Sequence, residues 1–166
     1  VVQVMDLRTG AQKQVRTDGV DPDGKRLDDL NHIYSVVVDR LDGSGKEAWL
    51  PCGFHGDENN SEESISYARI VDLEDFSIRV GPKLPSDSSG GACVTRAIQV
   101  DGPGTPPHIC TFGGTYGSHD RGTFLKHTAC YDRVKNLWHC VFGELPFGLD
   151  HASMVTIPAS TCHPSD

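Results

Sequence analysis

Apolar positions in this 166-residue chain fall in short β-branched runs, and no long stretch spaces them at i, i+3, i+4 and i+7. Clusters of Gly, Pro, Asp and Ser separate the runs, the punctuation expected between strands rather than helices. The pattern predicts an all-β chain. Three runs begin alike about sixty residues apart, at residues 31–38, 91–98 and 150–157. The first two are followed by a second run at 47–54 and at 108–114. Each set then closes with a hairpin, 64–73 with 76–84 in one copy and 124–132 with 136–145 in the other. A further hairpin of this kind opens the chain at 1–16. Asp6, Asp72 and Asp132 begin the three hairpin turns, where a short carboxylate accepts backbone N–H bonds two residues on. Pro51 interrupts the second run of the first copy, and proline cannot donate to a ladder there.

The later copy carries the more specific signature. It reads Gly113-Gly114, then Tyr131-Asp132, then Trp138, then Leu145-Pro146. Order and spacing resemble a kelch repeat, one four-stranded blade of a β-propeller of the kelch and galactose-oxidase kind. The earlier copy departs from the pattern, with the single Gly53 for the double glycine and Ile78 where Trp138 stands. The resemblance implies a partial kelch-like propeller of about two to three four-stranded antiparallel blades. Its parts would be a hairpin of an incomplete blade at 1–16, blades at 31–85 and 91–146, and the inner strand of a further blade at 150–158. Trp138 would plug the gap between neighbouring blades. A blade buries its faces only against other blades, and closed propellers hold about four to eight. The remaining blades are therefore expected from the same polypeptide, of which this chain would be an excerpt, or from other subunits.

Composition narrows the function classes. The formal net charge of −8 argues against a nucleic-acid backbone as partner, and no apolar run approaches the roughly 18–20 residues of a membrane span. Six cysteines show no C-x-x-C pairing, and Asn59-Asn60-Ser61 is a glycosylation sequon. Together they point to a secreted or extracellular glycoprotein with disulfides; buried free thiols in a cytoplasmic protein are the alternative.

Candidate chemistry is sparse. The chain contains no G-x-S-x-G, H-E-x-x-H or phosphate-binding glycine loop. The aspartates of residues 18–24, with Asp28 and Asp29, lack EF-hand spacing and read as an inter-blade loop. No cofactor and no metal site is expected, and two His and two Tyr cannot be matched to the copper ligands of galactose-oxidase-like enzymes. In the implied blade order, the loops joining second to third strands share one face with the linkers between blades. That face would present His55 and Asp57 from one loop, Tyr116, His119, Asp120 and Arg121 from the next, and Asp150 from a linker. Tyr, His and Arg are residue types that dominate interface energetics or meet acidic groups. The expectation is a non-catalytic binding or scaffold module holding a protein or glycan. The alternative is a segment of an extracellular carbohydrate-active or copper-radical enzyme.

Overall fold

Period-2 alternation gives each strand two unlike faces, and in this protein both faces of the first sheet are buried. A computed structural model describes residues 2–15, 17–30, 35–51, 53–56, 62–84, 97–102, 105–116, 123–126, 128–139 and 144–148. Every regular element among them is a strand, as the sequence pattern predicts, and all strand pairs are antiparallel. No helix among the described residues is long and apolar enough to cross a membrane.

The chain opens with the hairpin β1 (Val2–Met5) and β2 (Gln12–Val15). The first four-stranded sheet follows, in the order β3 (Val36–Asp39), β4 (Lys46–Leu50), β7 (Tyr67–Asp72) and β8 (Ile78–Lys83). Between β4 and β7 the chain extends into a smaller hairpin, β5 (Phe54–Gly56) with β6 (Glu62–Ser64). The second sheet repeats the plan with β9 (Ala97–Gly102), β10 (Thr105–Phe112), β13 (Thr128–Asp132) and β14 (Leu137–His139). Its smaller hairpin pairs β11 (Thr115–Tyr116) with β12 (Thr123–Phe124). The residues expected to form an inner strand at 150–158 lie outside the described ones, as do 31–34.

The repeat holds at the level of single hydrogen bonds. Gly53 O accepts from Ile65 N (3.1 Å) and Gly114 O from Leu125 N (2.8 Å), so both copies pinch the chain where the sheet gives way to the smaller hairpin. Gly53, Gly113 and Gly114 have φ of 157°, 68° and 111°, a region closed to most side chains. Leu84 N donates to Ser66 O and Leu145 N to Lys126 O, each at 2.8 Å, closing the fourth run of each copy onto the third. Pro51 sits in the break after β4, and pairing resumes only at Phe54.

The turn aspartates act as their positions predict. One oxygen of Asp6 accepts from Arg8 N (2.8 Å), one of Asp72 from Glu74 N (2.8 Å), and one of Asp132 from Val134 N (2.9 Å) and Lys135 N (3.0 Å). The Lys135 N–H, and after it that of Val134, holds the Asp132 carboxyl below its ordinary value; burial opposes this and loses. The Arg8 N–H does the same for Asp6. A folded pKa below the unfolded value means stability that is complete above the unfolded pKa of about 3.9 and fades as acid takes the pH down through the folded one. Asp132→Asn should therefore lower stability at pH 7 and have little effect at pH 2. Urea midpoints at the two pH values check this, and equal losses at both would sink the turn assignment.

The core lies between the sheets. From the first come Val38, Trp49 and Ile70, from the second Ile109 and Tyr131, with Val36 and Trp138 packed at the margin. Tyr131 links the other two rings, 5.4 Å from Trp49 and 5.2 Å from Trp138 between centroids, within the range of favourable aromatic pairs. Trp138 also reaches back across the interface, its Nε1 donating to Lys83 O at 2.9 Å. The edge strands β3 and β9 adjoin. On the other face of the first sheet, Ala48, Leu50 and Val71 form a second cluster joined by Leu30 and by Ile78, the residue at the Trp138 position. Trp138 and Ile78 thus both pack toward the preceding part of the chain.

The loop at 17–30 seals that second face. Val20 and Arg26 form a β-bridge, and Asp21 accepts from Asp23 N and Lys25 N, both at 2.9 Å. Its other oxygen accepts from Arg69 Nη2 at 2.7 Å, and both side chains are fully buried. The aspartate-rich segment is a structural plug.

The second sheet carries a disulfide, Cys110 to Cys130, between residues directly opposed on β10 and β13. The opposed pair at the corresponding place in the first sheet is Trp49 and Ile70. A covalent link thus stands where the first sheet has an apolar contact. The bond is consistent with an oxidising compartment.

Candidate binding site between the two sheets

Glu47, the second residue of β4, lies on the same face as Trp49, two residues away, and that face turns toward the second sheet. A carboxylate buried there needs partners. It has three: Oε1 accepts from Trp49 Nε1 (2.7 Å) and Arg133 Nη2 (2.9 Å), and Oε2 accepts from Arg79 Nη2 (2.7 Å). Arg133 comes from the β13–β14 turn of the second sheet, and the same Nη2 also donates to Asp39 O at 2.8 Å. Its guanidinium carbon lies 5.8 Å from the Trp49 ring centroid. One carboxylate thereby ties two strands of one sheet to a turn of the other.

Around this hub the sheets leave a cleft of about 660 Å³. Arg40 and Asp42 border it from the β3–β4 turn, Arg79 to Pro82 from β8, and Arg133 and Asn136 from the β13–β14 turn. Trp49, Ile70 and Tyr131 line it from the core, and Leu41, Val80 and Pro82 add apolar surface. Arg40 pairs with Asp72, and the Tyr131 hydroxyl bonds to Asn136 Oδ1. Burial pushes the Tyr131 phenol up from its ordinary value, against the opposing pull of nearby Arg79. The phenol is thus a neutral hydrogen-bonding group at physiological pH.

The Arg133 bonds to Asp39 and Glu47 bring the turn ends of the two sheets together. The small hairpins β5–β6 and β11–β12 therefore leave from the opposite end of both sheets, and on the same side as each other. His55 lies on β5 opposite Glu63, and Tyr116 lies on β11 opposite Thr123. Asp57, Asn59, His119, Asp120, Arg121 and Asp150 lie outside the described residues. Among the described residues no group of three or more His, Cys, Asp or Glu is placed to hold a metal ion.

The sequence reading missed the cleft. Its residues come from five separate segments, which only the tertiary fold brings together. No protein-family model matches the chain, and a search of curated proteins returns no match. The kelch resemblance accordingly rests on the residues that carry it.

Proposed function

We propose that the chain is a non-catalytic binding module, part of a kelch-like propeller, which holds a protein or glycan partner on the loops of its small hairpins. The observation that carries this reading is the paired projection of β5–β6 and β11–β12 from one end of two stacked, repeating sheets. A double sheet that sends equivalent hairpins out of one end is a scaffold for loop-borne recognition. Glu47, the buried carboxylate of the interface, is held by three donors and serves to tie the two sheets together. The recurring glycine and aspartate contacts of the two sheets support the propeller assignment. Further blades come from the same polypeptide or from other subunits. The Cys110–Cys130 bond and the sequon at Asn59 favour an extracellular setting.

The test is a triple substitution of Tyr116, His119 and Arg121 by alanine. Immobilised wild-type protein is used to identify the retained partner in extracellular fluid and on a glycan array, and the variant is then compared against that partner. Loss of about tenfold or more in affinity is expected, since aromatic and arginine anchors each contribute more than about 1 kcal/mol in typical interfaces. Unchanged affinity would remove the loops from the binding face.

A further inference from the structure

The cleft lies at the end of the sheets away from those loops, and its formal charges balance: Arg40, Arg79 and Arg133 against Asp42, Glu47 and Asp72. Its hydrogen-bonding capacity does not balance. Glu47 uses both oxygens on Trp49, Arg133 and Arg79. Asp72 accepts from Glu74 N with one oxygen and pairs with Arg40 through the other. Asp42 Oδ1 takes both the N–H and the hydroxyl of Ser44. The acceptors are thus largely occupied.

Donors are in surplus, because each guanidinium carries five N–H groups. Among the described residues Arg79 makes one hydrogen bond, to Glu47, while its side chain stays 60% exposed at the rim. Arg79 therefore has accessible N–H groups to offer, whereas Arg133 Nη1, which also meets no acceptor, is closed off by its own burial. A lining with spare donors and spent acceptors selects a ligand that only accepts. A sugar would need acceptors for its hydroxyl protons. A carboxylate needs none, and its planar pair of oxygens matches the guanidinium fork. Val80 and Pro82 beside Trp49 and Ile70 give apolar surface for a short carbon skeleton, and the volume is that of a small-molecule site.

We propose that the cleft between the two sheets binds a small organic carboxylate, gripped at its rim by Arg79. This does not rest on the hairpin loops of the proposed partner-binding face, and the two readings fail separately.

The full chain is titrated with citrate and with succinate at constant ionic strength, following tryptophan emission, to which Trp49 contributes, and the melting temperature. Saturable binding with Kd below about 1 mM is expected for at least one acid, with a rising melting temperature. Neutral succinamide should produce neither change. Arg79→Gln should weaken binding about tenfold or more, and Arg79→Lys by an intermediate amount, because lysine keeps the charge and loses the fork. Lys126→Gln, at an exposed position between β12 and β13 at the other end of the second sheet, should bind as the wild type does. Absence of saturable binding to both acids overturns the proposal. So does an equal response to succinamide, or undiminished affinity in Arg79→Gln.

Discussion

Asp21→Ala is expected to cost about 3–5 kcal/mol of folding stability, a large share of what a domain of this size possesses. Asp21 and Arg69 are both fully buried, and 48 residues separate them along the chain. Arg69 lies on a central strand, on the face with Leu50 and Val71, where water cannot replace the lost carboxylate. Removing Asp21 leaves a guanidinium charge among apolar groups, with Tyr67 O as its remaining acceptor among the described residues. It also strips the loop of the two bonds that Asp23 N and Lys25 N make to Asp21, so the plug loses its internal shape. The double replacement Asp21→Leu with Arg69→Met should recover much of the loss, because breaking a buried pair costs more than replacing it with apolar groups. Urea denaturation of the single and double variants checks both parts. A single-variant loss under about 1 kcal/mol would mean that the loop does not seal this face in solution.

The second large effect belongs to Glu47. Glu47→Ala removes the acceptor of two arginines and one indole, and the two sheets lose their one shared carboxylate hub. A loss of about 3–5 kcal/mol is expected here as well, chiefly from stranding buried Arg133. Arg133 and Glu47 sit on different sheets, so a double-mutant cycle between Glu47→Ala and Arg133→Ala separates their mutual term from the rest. A coupling of about 1.5 kcal/mol or more is expected. Additive losses would show that the sheets do not share this contact. Arg79, more than half exposed, should couple to Glu47 by about 1 kcal/mol or less.

The two predictions expose a difference between what was legible in the sequence and what was not. Asp6, Asp72 and Asp132 could be assigned to turns because their partners lie two or three residues away. Gly53 and Gly114 could be assigned to strand ends because their backbone conformations exclude side chains locally. Even Trp138 was legible as an inter-sheet plug, since a large ring at a repeat position needs a neighbour to cover it. Asp21 was harder. Its residue type and surroundings suggested a loop, and nothing nearby in sequence pointed to Arg69. Nothing in the sequence singled out Glu47, Arg79 or Arg133. The cleft that these three help to enclose had no local signal.

By itself, then, the sequence determined that the chain is all-β, that its strands recur about every sixty residues, and where the turns fall. Those properties follow from alternation, glycine conformations and short-range hydrogen bonds, each settled within a few residues. Tertiary structure alone decided which faces meet, which carboxylate becomes the hub of the interface, and where spare guanidinium donors gather. Burial sets those outcomes: a charge carried into an interface must find its partner in space, and here the partners lie 32, 48 and 86 residues away.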